Sequence, residues 1–243
     1  MTTSCRGWGR TCVGSRRDAG AGLRAVLRPW QHEFMNGEHR SLVRGLSAGF
    51  AVVFVWSAIR PWHPADWLLE NVLVAASLVL ARWIYCRVPL SRLSWVLVFG
   101  FLMVHEIGAH YTYSEVPYRE WWGVLTGQAV VPGRNHFDRL VHFSYGLLLA
   151  RPLKELLSYR VAPVPRWAWA FSVDMILSTS VLYELFEWGA AEVFGGELGA
   201  AYLGTQGDPW DAHRDMALAG LGALMAAAVA LLTWVRERGE AAG

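Results

Sequence analysis

The sequence predicts an all-α fold, a polytopic membrane bundle of about six transmembrane helices with both termini cytoplasmic. Three observations carry that expectation. Of 243 residues, 54% are hydrophobic and 17% charged, whereas a soluble domain carries about 25% charged residues. The apolar residues gather into six runs of the length that crosses a hydrocarbon core, about 20 residues. Basic residues then favour alternate connections between those runs, as the positive-inside rule requires. The same composition excludes a disordered chain and a disulfide-rich scaffold. A net charge of +2 gives no sign of a nucleic-acid partner.

Residues 1–40 are rich in Arg and Gly and hold no apolar stretch, which reads as a disordered cytoplasmic tail rather than a secretory signal. Met35 is a second candidate start within it. The transmembrane domain is expected over 41–236, followed by a short tail over 237–243. Its spans are the runs 42–59, 67–85, 93–110, 136–157, 167–191 and 211–235. The first two are mostly hydrocarbon, and the last four carry clusters of ionisable groups. Prolines at 61, 64, 89, 132, 163, 165 and 209 punctuate the connections and favour helix ends there. In lipid only helices or a closed barrel satisfy the backbone, and six helices joined mostly by short connections form one bundle. Arg82, Arg87, Arg92, Arg151, Lys154, Arg160, Arg166, Arg236 and Arg238 fall on the side of the N-terminus, against Arg60, Arg119 and Arg134 on the other. Trp62, Trp67, Trp121, Trp122, Trp188 and Trp210 then form an aromatic belt at the outer interface. Cys5, Cys12 and Cys86 have neither disulfide nor zinc spacing.

The ionisable residues of the later spans converge. The third span runs outward into His105-Glu106-Ile-Gly-Ala-His110-Tyr-Thr-Tyr113, and the fourth runs inward from Asn135-His136-Phe-Asp138-Arg139-Leu-Val-His142. The fifth carries Glu184 and Glu187, and the sixth opens with Asp208-Pro-Trp-Asp211-Ala-His-Arg214-Asp215. All four clusters sit at the outer ends, and Glu70 in the second span faces the same side. Glu106/His110, Asp138/His142, Glu184/Glu187 and Asp208/Asp211/Asp215 keep the three- and four-residue spacings that share a helix face. Ionisable groups inside a membrane are costly and mark functional sites. A carboxylate-rich set with one or two histidines suits Mg²⁺, Mn²⁺ or Zn²⁺, and bundles build such centres between facing helices.

The expected ligands are His105, Asp138, Glu184, Glu187, Asp211 and Asp215, with Glu106 or His142 as general base and Arg139 and Arg214 as anion-binding groups. Each has a structural alternative. Asp208-Pro209-Trp210-Asp211 and Asn135-His-Phe-Asp138 both have the form of helix caps. His110 suits a helix C-terminus, and His136 and His213 read as interfacial. The inner acids have mutual pairing with Arg139 or Arg214 as their alternative. The two histidines of HEIGAH stand five apart, about 140° around a helix, which excludes zincin-like coordination. Tyr111, Tyr113, Tyr118, Trp121 and Trp122 read as interface anchors for the connection over 111–133, which is also long enough for a lid.

Through HEIGAHYTY, NHFDRLVHF, LYELFEW and LGTQGDPWDAHRDM, residues 40–235 resemble the YjdF-like bacterial inner-membrane proteins. The resemblance implies a polytopic α-helical membrane protein and carries no established activity or catalytic residues. Three function classes follow from the residues. One is a metal-dependent hydrolase or transferase acting on a lipid-linked phosphate at the outer leaflet. Another is a transporter in which Asp174 is the next polar station inward. The last is a non-catalytic scaffold whose polar cluster is a salt-bridge network.

Overall fold

In a computed structural model the chain is described over residues 37–130, 132–161, 164–194, 196 and 203–240. The basic tail up to residue 36, with Cys5, Cys12 and Met35, lies outside the described residues, as does most of the stretch 195–202. Among the described residues there are seven α-helices and one 3₁₀ turn, and no strand. They are α1 (Gly37–Ser57), α2 (Pro64–Arg87), α3 (Arg92–Tyr111), the 3₁₀ turn (Tyr113–Glu115), α4 (Tyr118–Thr126), α5 (Phe137–Arg160), α6 (Pro165–Phe194) and α7 (Asp211–Glu240).

Local chemistry sets the boundaries. Pro64 occupies the first turn of α2, where its missing N–H costs nothing. Val88, extended as a residue before proline must be, ends that helix. The Ser91 hydroxyl caps α3 by accepting from the Ser94 amide at 3.2 Å. The helix that sequence periodicity overlooked is α4, inside the long connection between α3 and α5. Its nine residues rise only about 13 Å, too short to cross a membrane, and Trp122, Val124 and Leu125 are exposed along it.

Helices α2, α3 and α7 are long and apolar enough to cross a membrane. The other three expected spans, α1, α5 and α6, have the length, but charged and polar residues dilute their apolar windows. α5 is the hub, packing against α3, α6 and most extensively α7, while α1 and α2 lean on α3. The α5–α7 approach depends on glycine. A Cβ at Gly146 would lie 1.8 Å from the Ala219 carbonyl oxygen, and one at Gly222 2.2 Å from that of Phe143. Such small-residue contacts replace the hydrophobic drive that is missing between helices in lipid.

Both ends of the bundle are tied across the chain. At one end the Trp62 amide donates to the His110 carbonyl at 2.9 Å, Thr112 Oγ1 to Asp66 at 2.8 Å, and the Asn135 amide to the Gln206 side chain at 2.8 Å. The connections after α1, α3 and α6 therefore meet. At the other end Glu155 accepts from the Ser91 amide and hydroxyl, each at 2.8 Å, and Arg92 pairs with Glu38. The main apolar cluster, with Phe50, Val74, Val88, Trp95 and Phe99, occupies that half.

Candidate metal centre

The first end collects the polar residues. Asp138 and His142, one turn apart on α5, stand with Asp215 of α7 so that one ligand atom from each lies within 4.8 Å of the others. His142 Nε2 is 3.6 Å from Asp138 Oδ1 and 3.6 Å from Glu184 Oε1 of α6. Two ligands about 2.1 Å from a tetrahedral ion stand about 3.4 Å apart, so these separations suit a shared cation. Asp215 is 2% exposed and its Oδ1 has no hydrogen-bond partner. A buried acceptor left in that state is costly and marks a place for a donor or an ion. Glu187 contacts Glu184 and Tyr183 from the same turn of α6. Six acids thus share the region, the sixth being Asp211 and the fifth Glu70 of α2.

Glu70 accepts from the Tyr183 hydroxyl at 3.3 Å and lies 4.0 Å from His105 Nε2. His105 is held from behind, its Nδ1 2.5 Å from the Tyr113 hydroxyl. Tyr113 was expected at the interface and turns inward instead. Thr112, at φ +63°, reverses the chain, and Gly108 leaves room for the ring, since a Cβ there would stand 2.6 Å from it. Tyr183 packs edge-on against His142, with ring centroids 5.7 Å apart. A cavity of about 340 Å³ opens directly beneath, with His105, Asp138, His142 and Tyr183 in its polar wall.

The expected base Glu106 lies elsewhere. It is fully buried toward α1, where the Ser57 hydroxyl donates to its carboxylate and Trp67 Nε1 donates to Ser57 at 3.2 Å. His110 joins this structural patch, its Nδ1 2.9 Å from the Ser57 carbonyl and its ring against Trp56. The pair expected to bind an anion is likewise committed to carboxylates. Arg139 donates to Asp208 at 2.6 Å and to Asp211 at 3.3 Å, and Arg214 also pairs with Asp208. Arg134, which the sequence assigned only to a loop, pairs with Asp211 and donates to the Thr205 carbonyl at 2.5 Å. These contacts neutralise Asp208 and occupy Oδ1 of Asp211, while Asp211 Oδ2, beside the Asp138/His142/Asp215 group, is buried without a hydrogen-bond partner.

Asp208 also performs the capping expected of it, its Oδ1 accepting from the Trp210 amide at 3.1 Å. Partial burial opposes ionisation, but that amide with Arg214 and Arg139 outweighs it and holds the carboxyl below its ordinary value. Asn135 caps α5 by accepting from Phe137 at 3.0 Å. His136 is exposed. His213 is exposed against Trp210. Asp174 is exposed on α6, away from the cavity walls. Glu70, Tyr113, Tyr183 and Arg134 escaped the expected ligand and anion sets. Gly108, five residues before Tyr113, was the readable signal for one of them.

The fold and site define the class: an all-helical membrane protein with a carboxylate–histidine cluster at one end of its bundle. The chain belongs to the family described as "Predicted membrane protein (DUF2238)", whose model matches residues 42–237. It is similar to the inner membrane protein YjdF of Escherichia coli (strain K12), with 35% identity over 180 residues, which cover 71% of this chain and 81% of that protein. No solved structure matches the chain. The family expected from the four motifs is thus the one found.

Proposed function

We propose that this is an inner-membrane, divalent-metal-dependent hydrolase or transferase acting on phosphate esters at the outer surface, with six spans and both termini cytoplasmic. The observation that carries the reading is the buried, unpartnered Oδ1 of Asp215 beside Asp138 and His142. The Arg asymmetry of the connections supports the orientation, and the relative's printed name supports the location. Asp138, His142 and Asp215 are the ligands, and Glu184 lies within reach as a further one. A divalent ion supplies a Lewis acid for a P–O bond and lowers the pKa of water. Glu187, off the triad and in contact with Glu184, is placed to accept a proton.

The Arg134/Arg139/Arg214 pairing with Asp208 and Asp211 favours the scaffold reading for its own part of the site. Elemental analysis of detergent-purified protein decides between the two. Stoichiometric Mg, Mn or Zn in the wild type, lost in Asp215→Asn and His142→Gln, is the expected result. Wild-type protein that binds no divalent ion, even after incubation with each metal, overturns the metal reading and leaves the scaffold.

A further inference from the structure

Beneath the polar cluster the bundle is hollow rather than packed. The 340 Å³ cavity descends between α2, α3, α5 and α6 past Val74, Leu102 and Val141 to Ser77, Phe101 and Tyr145. A second cavity of about 180 Å³ begins at those last three residues and Leu102, and continues past Leu149, Leu153 and Trp95. Along α2 the pair extends from Leu73 to Ile84, about 16 Å at 1.5 Å per residue. Two of the polar groups on the way are turned to each other: the Tyr145 hydroxyl lies 2.6 Å from Thr179 Oγ1, which itself donates to the Met175 carbonyl at 2.5 Å, while the buried Ser180 hydroxyl has no hydrogen-bond partner. Below the His105–Asp138 level the other wall residues are mostly apolar and suit hydrocarbon. Ser77 and Leu80 line this track and are also exposed on α2, so it opens sideways toward lipid.

An empty apolar void of this size forfeits packing energy on every wall. Water finds few partners on walls that are mostly apolar. The lower cavity, at about 180 Å³, has room for one chain, and the track ends at a cluster suited to a cation. We infer that it is the binding channel for a single-chain lipid phosphate taken from the bilayer, with its phosphate at the Asp138/His142/Asp215 group and its chain running down to Trp95. This rests on the metal reading for its head and on the cavities alone for its tail. With about 1.25 Å of advance per C–C bond of 1.5 Å, the track holds a chain of roughly 13 carbons.

Photo-crosslinking tests it. Two alkyl phosphates carrying a terminal diazirine, one of about eight carbons and one of about thirteen, are irradiated with the full-length protein in detergent, and the labelled residues are mapped by mass spectrometry. The short probe is expected to label Phe101 or Tyr145 and the long one Trp95 or Leu153. Ser77→Phe, which narrows the junction of the two cavities, is expected to cut long-probe labelling at Trp95 at least tenfold while sparing the short probe. Leu80→Phe serves as the second variant should Ser77→Phe not fold. Labelling confined to lipid-facing residues such as Val79 and Val229, or independent of chain length, or insensitive to both variants, overturns the channel. Metal content of the same samples separates the two readings. Depth-ordered labelling without metal keeps the channel and removes the metal, whereas metal without depth order removes the channel alone.

Discussion

The Tyr113 hydroxyl stands 2.5 Å from His105 Nδ1, although the two residues belong to different elements and Tyr113 follows the end of α3. One hydrogen bond thus fixes a ring whose other nitrogen, 4.0 Å from Glu70, has no hydrogen-bond partner of its own. Tyr113→Phe keeps the ring packing against Gly108 and deletes the bond. The expected loss is about 1 kcal/mol, read as a lower thermal unfolding midpoint in detergent, while Tyr118→Phe, at the start of α4, whose hydroxyl accepts from the exposed His136 amide, loses less.

The α5–α7 contact gives the sharpest contrast between glycines. Gly146→Ala drives a methyl group into the Ala219 carbonyl and is expected to destabilise by about 1–3 kcal/mol as the helices separate. Gly189→Ala, which meets nothing within 4 Å on α6, is expected to be neutral or to stabilise by up to about 1 kcal/mol through helix propensity. Unfolding midpoints of the two variants, measured side by side, check both.

Ser57→Ala removes the donor to the Glu106 carboxylate. With both groups fully buried, the expected cost is about 1–3 kcal/mol. Metal content is expected to stay at the wild-type level, because Glu106 is not part of the Asp138/His142/Asp215 group. Loss of metal in this variant would return Glu106 to the centre.

Acid sensitivity should trace in part to Asp208. Its carboxyl titrates lower in the folded chain than in the unfolded one. Its contribution is therefore full above the ordinary aspartate value, about 3.9, and is lost as the pH falls through the lower folded value. The difference in unfolding midpoint between wild type and Asp208→Asn is expected to be constant near neutrality and to shrink below about pH 4.

The helices and their shared polar end were legible because both depend on local patterns. Apolar runs, prolines and three- to four-residue spacings placed α1–α3 and α5–α7, and put Asp138, His142 and Asp215 on compatible faces. Partner choice was not legible, because it depends on how far each helix turns about its axis against a distant neighbour. That rotation gives Glu106 to Ser57 on α1 rather than to the cavity, and brings Arg134 to Asp211 across 77 positions. The same holds for Arg139 and Arg214. Each has a spacing that suits a free anion-binding group, and both are claimed by Asp208, which is 69 positions from Arg139 and six from Arg214. α4 escaped notice because its nine residues interrupt an aromatic-rich connection without a long periodic run.

Gly146 follows His142 by four residues and Ala219 follows Asp215 by four, so the place where α5 and α7 touch lies one turn below the ligands they carry. The spacing between His142 and Asp215 is therefore set by a missing carbon. Any side chain at 146 acts as a wedge one turn below them, prising the imidazole from the carboxylate without touching either. The position most able to retune this cluster is one that carries no chemistry at all.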